Sequence, residues 1–189
     1  MILARESILK SIEEGEIQID PYDPERVGSA SVDLTVSRHF RRFRPGHDSV
    51  TLRDDTDYRD PSISELIEVP EDAYFEVGSR EMVLGITNER VGLSSSLCGW
   101  FDGRSRFARL GLLVHISAGF MQPGTFNQTV LEIFNMSPRT FRIYPGTAIC
   151  QFIFQRMEGR AEHSGRFKDQ TSQIFRASPT YNPTPGAPS

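Results

Sequence analysis

The sequence predicts a mainly β protein, a sandwich or barrel built from short strands, with few helices. Short segments in which apolar and polar residues alternate recur along the chain, as in SVDLTVS and QTVLEIFN. Turn-forming pairs such as Val77-Gly78 and Pro123-Gly124 separate these segments. Because many short strands joined by turns leave little chain for helices, this pattern is typical of sandwiches and barrels.

One amphipathic helix is predicted near the N-terminus, from Ala4 to Gly15. Ile8, Leu9 and Ile12 form its apolar stripe, and Gly15 stands where a helix would stop. The predicted strands then follow in the segments GEIQID, SVDLTVS, EMVLGIT, LLVHIS, QTVLEIFN and AICQFIFQ.

The length of 189 residues predicts one domain with a tail. We assign residues 1–177 to the domain. Residues 178–189 are rich in proline and small residues and are predicted to form a mobile tail. Residues 44–72 are polar and acidic, with several prolines, and are predicted to form a long surface excursion.

Composition and charge argue against several classes of protein. Hydrophobic residues make up 38% of the chain and charged residues 24%, which is ordinary for a globular protein with one core. The formal net charge of −4 argues against a nucleic-acid surface. No apolar run approaches the roughly 18 residues of a membrane span, and the N-terminus lacks the apolar core of a signal peptide. Cys98 and Cys150 are predicted to be buried thiols in a reducing cytoplasm.

A cluster of arginines lies at a predicted turn and short helix. The pair DG at 102–103 predicts the turn, and Ser105 stands where a helix N-cap would. Arg106 and Arg109 share a helix face, with Arg104 just before them. Backbone N–H groups at a helix start attract anions, and guanidinium groups suit phosphate oxygens. The cluster is therefore a candidate polyphosphate site; the alternative is a solvated or salt-bridged surface turn.

A single carboxylate interrupts an apolar strand in the segment TVLEIFN. The strand period places Val130, Glu132 and Phe134 on one face. A carboxylate among apolar neighbours is costly unless it is paired or protonated, and such tension is common at acid–base catalysts. The alternatives are a structural ion pair with an arginine and a solvent-facing residue on an edge strand.

The chain lacks the motifs of several nucleotide-handling enzymes. It has no H-x-E with C-x-x-C, so the zinc-deaminase signature is missing. It also has no Walker-type phosphate loop and no G-x-G-x-x-G. The histidines show no ligand spacing, and His115 in LLVHIS is interpreted as a half-buried strand histidine rather than a catalytic one.

The segment GWFDGRSRFARLGLLVHISAGFMQPGTFNQTVLEIFN resembles the central block of the dCTP deaminase family, which belongs to the trimeric dUTPase superfamily. The resemblance extends to ILARESILKSIEEGEIQIDPYD, SASVDLTVSRHFRRF, YPGTAICQFIF and, weakly, GRFKDQ. It implies a β-clip fold, a distorted barrel that assembles as a homotrimer with active sites at subunit interfaces. It also implies dCTP as substrate, Mg²⁺ bound with the nucleotide triphosphate, no zinc, and dTTP as an inhibitor.

The resemblance implies catalytic roles for four residues. Glu132 matches the family's essential glutamate, a general acid–base. Ser105 and the backbone carbonyl of Ala118 would position the attacking water, and Arg109 would orient Glu132 and that water. A lid near residues 160–177 would fold over the phosphates. The positions matched to substrate binding are Arg104, Arg106, Phe107, Ala108, Gln122, Val130, Leu131, Gln151, Arg166 and Gln170.

Several positions depart from the family pattern. Arg106 stands where most members have a second serine, which adds charge near the phosphates. Gln122 replaces an aspartate that is the hydrolytic base in dUTPases, so it argues against cleavage of the triphosphate. In contrast, Gly119-Phe120 matches the sequence of those relatives that both deaminate the base and cleave the triphosphate. The segment GRFKDQ lacks the lid tyrosine of relatives.

Three functional hypotheses follow from these residues. The first is hydrolytic deamination of dCTP, or a related cytosine deoxynucleotide, to dUTP and ammonia. The second is a bifunctional enzyme that continues to dUMP and diphosphate. The third is a trimeric nucleotide-binding or regulatory protein in which the changes at Arg106 and Gln122 have abolished catalysis.

Overall fold

The computed structural model describes residues 1–46, 49–165 and 168–179 and is mainly β, as predicted. These residues form three α-helices, one 3-10 helix and eleven strands. The helical elements are α1 (Arg5–Glu13), the 3-10 helix (Pro24–Arg26), α2 (Ser105–Ala108) and α3 (Ser172–Arg176). The strands are β1 (Ile17–Asp20), β2 (Val32–Phe43), β3 (Ser64–Glu68), β4 (Phe75–Val77), β5 (Met82–Leu93), β6 (Leu97–Gly103), β7 (Leu112–Val114), β8 (Phe120–Met121), β9 (Phe126–Asn135), β10 (Phe141–Ile143) and β11 (Ala148–Arg156).

Helix α1 forms where its apolar stripe predicts it. Ile8 is fully buried, and Leu9 and Ile12 pack against the main core. Ala4 is the N-cap residue. Gly15 has a φ of 74°, a left-handed conformation that glycine adopts readily and that ends the helix.

One curled sheet contains nine of the described strands, in the order β7-β9-β5-β2-β11-β6-β8, with β1 beside β5 and β3 beside β2. β4 and β10 pair separately. Strand β2 connects the two halves of the sheet, because its first part pairs with β11 and its second part with β5 and β3. A register shift in its pairing with β5 falls between Val36 and Phe40, and such irregularities bend a strand.

The alternation predicted for β9 is confirmed. Leu131 and Ile133 are fully buried, whereas Val130, Glu132 and Phe134 are only partly buried on the other face. Across the sheet, β9 pairs with β5, so that Glu132 lies opposite Leu84 and Val130 opposite Ile86. These pairs share the face on which the candidate site is found.

Aromatic side chains fill the main core between the sheet layers. Phe40 stacks on Phe75 with ring centroids 4.3 Å apart. Phe152 meets Phe101 and Phe154 edge to face, each at 4.7 Å between centroids. Both cysteines are buried and free, and burial raises the pKa of each thiol.

The structure corrects several local predictions. The predicted excursion at residues 44–72 contains strand β3, which pairs with β2. The pair at 102–103 ends β6 and does not form a turn. Ser105 is the first residue of α2, and Arg104 is the N-cap. Strand β6 has no clear alternation in LCGWFDG because both of its faces are largely covered, so the sequence did not reveal it.

The C-terminal region continues beyond the last strand into helix α3. In the described part of the chain, no helix is both long and apolar enough to cross a membrane. Arg166 and residues 180–189 lie outside the described residues. The domain boundary at residue 177, the lid and the mobile tail therefore stay predictions.

Candidate active site

A pocket of about 440 Å³ lies along one edge of β9. At one end this edge pairs with β7. At the other end, Phe126 and Gln128 donate backbone N–H bonds of 3.1 and 2.9 Å to the carbonyls of Lys168 and Gln170. The pocket opens between these two pairings. Its lining residues are Phe43, Tyr58, Leu84, Phe101, His115, Ala118, Phe120, Met121, Gln122, Thr125, Asn127, Thr129, Val130, Glu132, His163 and Gln170.

The open edge directs backbone groups of Val130 into the pocket. The even-numbered residues of β9 point their N–H and C=O groups to this edge, as the bonds of Phe126, Gln128 and Glu132 show. Val130 lies between the last two and lines the pocket. A donor and an acceptor from one residue can pair with the edge of a planar base. Leu131, in contrast, is fully buried in the core.

Glu132 projects into this pocket beside His115. Its side chain is 24% exposed, and its Oε2 atom lies 3.0 Å from Nδ1 of His115. Both atoms are buried, and neither has a partner in hydrogen-bond geometry within the described residues. Because unsatisfied buried polar atoms are costly, this pair marks a place where a ligand or water is expected to bind. The side chain that lies beside the Glu132 carboxylate is thus a histidine and not the arginine of the structural alternative.

The structure places His115 after the end of β7, so its interpretation as a strand histidine is wrong. Its φ is 57°, a left-handed conformation that is uncommon outside glycine and that clusters at functional sites. Its backbone N–H donates to the carbonyl of Glu132 at 2.7 Å, and its ring meets the edge of Phe101 at 5.1 Å. The register of β7 against β9 brings His115 to Glu132, and a single sequence does not reveal that register.

The loop between β7 and β8 also supplies Ala118 to the pocket. Gly119 lets this loop approach β6, because an added Cβ would lie 3.2 Å from the carbonyl oxygen of Phe101. The carbonyl of Gly119 accepts the N–H of Phe101 at 2.9 Å. Ala118 therefore lines the same pocket as Glu132, and its predicted contact with water stays a prediction.

The arginine turn, residues 104–109 around α2, does not contribute to the lining of this pocket. Arg104 forms an ion pair with Asp33 of β2. Gln151 accepts a 2.9 Å hydrogen bond from Ser31 and donates one of 3.3 Å to the carbonyl of Gly103. Strands β2, β6 and β11 thus fix the start of α2. In the single chain, Arg104 therefore fits the alternative interpretation of this segment, a salt-bridged surface turn.

The remaining residues of the turn project outward. Ser105, Arg106, Ala108 and Arg109 are exposed, whereas Phe107 packs partly against the core. The side chains that line the Glu132 pocket in this chain do not include them. The single chain therefore does not bring the predicted catalytic serine and arginine to the glutamate.

Besides Val130, two more of the predicted substrate-binding residues line the pocket, Gln122 and Gln170. Gln122 is exposed at its rim, and its carbonyl accepts the hydroxyl of Thr125 at 2.8 Å. Gln170 is only 5% exposed and donates a 3.3 Å bond from its side chain to the carbonyl of Gln128. The pocket lining also contains polar side chains that the sequence did not indicate as part of a site, among them His115, Thr125, Asn127, Thr129 and His163.

The pocket lining is short of positive charge. Its described residues include no lysine or arginine, and Glu132 is their one carboxylate. A triphosphate would need cations from outside this lining. Within the described residues, no cluster of three or more His, Cys, Asp or Glu side chains could hold a metal ion.

Comparison with known proteins agrees with this architecture. Residues 2–157 match the family described as dCTP deaminase-like. The dCTP deaminase of Marinomonas sp. is 36% identical over 187 residues, 92% of this chain and 96% of that protein. A "dCTP deaminase, dUMP-forming" of Dictyoglomus thermophilum is 36% identical over 164 residues, 86% of this chain and 84% of that protein.

The fold is that of a solved 2′-deoxycytidine 5′-triphosphate deaminase from Agrobacterium tumefaciens. The two chains superpose with a TM-score of 0.63 at 17% identity, over 82% of this chain and 48% of the other. The chain described here belongs to the dCTP deaminase-like family, since the family match covers most of its length.

Proposed function

We propose that the protein is a zinc-independent dCTP deaminase of cytoplasmic pyrimidine deoxynucleotide metabolism, which hydrolyses dCTP to dUTP and ammonia. One observation is central: the carboxylate of Glu132 is partly buried in a pocket beside an unsatisfied histidine nitrogen, 3.0 Å away. A glutamate held this way can exchange protons with a bound base. It also stands at the position of the family's essential glutamate.

The chemistry needs one group that both accepts and donates protons. Water attacks C4 of cytosine and loses a proton to Glu132, which passes it to N3 of the base. A second proton from the water oxygen goes to the amino group, and the C4–N bond breaks as ammonia leaves. Backbone groups of Val130 would hold the base edge, and His115 would fix the orientation of Glu132, 3.0 Å away.

We place the triphosphate against the arginine turn of a neighbouring subunit in a homotrimer. Ser105, Arg106 and Arg109 are exposed, whereas the pocket lining has no cation of its own among its described residues. An exposed cationic turn and a nucleotide pocket without cations complement each other across a subunit boundary. In that arrangement Ser105 would position the water and Arg109 would orient the carboxylate.

Magnesium would enter with the nucleotide, held by triphosphate oxygens, because the described residues offer no carboxylate cluster for it. It would neutralise phosphate charge. We also propose that dTTP competes for this pocket as an inhibitor, since it presents the same sugar and triphosphate.

The second candidate is the bifunctional reaction that ends at dUMP and diphosphate. The relative from Dictyoglomus thermophilum is named dUMP-forming. By the family resemblance, Gly119-Phe120 also matches members that both deaminate and cleave. Against it, Gln122 lies at the pocket rim where an aspartate base would be needed, and an amide cannot accept that proton. We therefore favour dUTP as the product.

The test uses purified protein with dCTP and Mg²⁺, following ammonia, dUTP, dUMP and diphosphate together. Glu132→Gln is expected to lower kcat by at least about a thousandfold while dCTP still binds, because the amide keeps the shape and loses the proton transfer. Near-normal turnover in this variant would refute the mechanism.

The product pattern separates the candidates. Ammonia with dUTP supports the first, and ammonia with dUMP and diphosphate supports the second. Tight binding of dCTP or dTTP without any ammonia would instead favour a regulatory nucleotide-binding protein.

A further inference from the structure

The C-terminal segment, residues 168–177, lies along the edge of β9 as a wall of the Glu132 pocket, to whose lining it contributes Gln170. It adds to the edge of β9 through the backbone bonds of Phe126 and Gln128 described above. The N–H of Ser172 then donates to the side chain of Gln128 at 2.7 Å. Gln170 is held twice, by its own carbonyl and by its side chain, and lines the pocket. The position of this segment therefore sets one end of the site.

Helix α3 ends this segment but is too short to be stable alone. It has five residues, and isolated helices of that length do not persist in water. Its stability must come from packing. Phe175 is fully buried and forms a small core with Leu84 and Ile86, against which Val130 and Tyr58 also pack.

Arg41 fastens the end of α3 from strand β2. Its Nε donates to the carbonyl of Phe175 at 2.9 Å and its Nη2 to that of Ala177 at 3.3 Å. Its Nη1 donates to the hydroxyl of Ser64 at 3.2 Å. The last carbonyls of a helix lack partners within the helix, and a guanidinium group suits them in both geometry and charge.

Arg41 is itself buried, with 3% exposure, and burial lowers its pKa. Its three hydrogen bonds in the described residues go to neutral oxygens. The nearby carboxylate of Asp57 is already paired with Arg59 at 2.7 Å. Burying a cation against neutral acceptors costs free energy. We therefore expect that the position of this helix end has a function.

The anchor is connected to Glu132 through one row of side chains. Arg41 lies opposite Leu84 on β5, and Leu84 lies opposite Glu132 on β9, so the three share a face of the sheet. Phe175 covers Leu84 in that row. Moving α3 would therefore open the wall next to the carboxylate.

We propose that Arg41 and Phe175 are positioning residues for the reaction, which fix residues 168–177 as the wall of the base pocket. This inference rests on the proposed deaminase function. The wall contacts the nucleotide in the ground state and the transition state alike, so its loss weakens binding more than turnover.

The test compares Phe175→Ala and Phe175→Leu with Ile8→Ala, a truncation in the main core under α1. Phe175→Ala is expected to raise KM for dCTP about tenfold with kcat within about twofold. Phe175→Leu should restore most of the affinity, since it refills the cavity. Ile8→Ala should lower stability by a similar amount and leave KM unchanged.

Hydrogen exchange provides the second measurement. In Phe175→Ala, amides of residues 168–177 should exchange faster, with those of β11 unchanged. Arg41→Lys should behave like Phe175→Ala, because one ammonium group cannot replace the guanidinium fork. If Arg41→Lys does not fold, the comparison of Phe175→Ala with Phe175→Leu tests the inference.

An unchanged KM in Phe175→Ala overturns the inference, whatever the exchange rates. A KM that rises equally in Ile8→Ala overturns it as well. If the wild-type protein releases no ammonia, the proposed function is refuted. The role of Phe175 is then tested by the dissociation constant for dCTP, which must rise in Phe175→Ala and not in Ile8→Ala.

Discussion

At the scale of single residues, Glu132 and His115 show how tertiary structure gives meaning to an unusual side chain. The glutamate is exceptional in the sequence, because it interrupts an apolar strand. The histidine is not exceptional, because a histidine that follows the apolar residues LLV is readily explained as part of a strand. Only their 3.0 Å approach, with both atoms unsatisfied, identifies them as a pair.

A second residue pair gives a prediction for acid stability. Glu16, just before β1, accepts two hydrogen bonds of 2.8 and 3.1 Å from Arg156 at the end of β11. The bond to Arg156, followed by those to Ser11 and Ser96, lowers the pKa of Glu16 from about 4.5 to about 2. Because the folded state lowers this pKa, the pair stabilises the protein above about pH 4.5 and its contribution is lost as the pH falls toward 2.

Glu16→Gln is therefore expected to lower the free energy of unfolding by about 1 kcal/mol at pH 7, a modest value because both side chains are partly exposed. Near pH 2.5 most of that difference should be gone. Urea unfolding at the two pH values measures it. Glu65→Gln is the control, since Glu65 makes a surface ion pair with Arg44 at 3.4 Å in which neither Glu16 nor Arg156 takes part. An equal loss at both pH values would contradict the assignment.

At the scale of elements, strand β6 determines where the arginine turn begins. It pairs with β11 and β8, and α2 follows it directly. Gly99 permits this close packing: an added Cβ would collide with the carbonyl of Ile153 and the ring of Phe152. Gly103 in the same strand has nothing within 4 Å of an added Cβ.

We expect Gly99→Ala to destabilise the protein by about 2 kcal/mol, because neither backbone nor a core ring can move aside cheaply. Gly103→Ala should be nearly neutral. Thermal unfolding of both variants makes the comparison, with a decrease of several degrees expected for the first alone. Equal melting temperatures for Gly99→Ala and the wild type would show that β6 accommodates a methyl group at this position, contrary to the expectation.

At the scale of the whole molecule, the Glu132 pocket and the arginine turn, which we propose to be two parts of one site, do not meet within one chain. The Glu132 pocket lies at the β9 edge, and the arginine turn lies on the surface beside β2 and β11. If the site is shared between subunits, inactive chains with different defects should complement one another.

The prediction concerns mixtures of Glu132→Gln and Arg109→Ala chains, refolded together in equal amounts. With random assembly, about a quarter of the shared sites would receive an intact residue from each chain, so about a quarter of wild-type activity should return. Each variant refolded alone should stay inactive. No recovery, in mixtures shown to contain mixed oligomers, would place the whole site within one chain.

The sequence by itself determined the mainly β class, helix α1 and the alternation of β9, and it singled out Glu132 as an unusual carboxylate. These features depend on local periodicity and on residue chemistry, which any stretch of chain displays directly. It also predicted the family, which the match over residues 2–157 confirms.

The tertiary structure decided which residues meet. It placed His115 against Glu132, included β3 within the predicted excursion, brought Gln170 to the pocket, and packed Phe175 against Leu84. Such contacts depend on strand register and on pairing between residues distant in sequence, where a shift of one residue reverses every side chain. Periodicity shows which face of a strand is apolar, but not which strand will lie beside it.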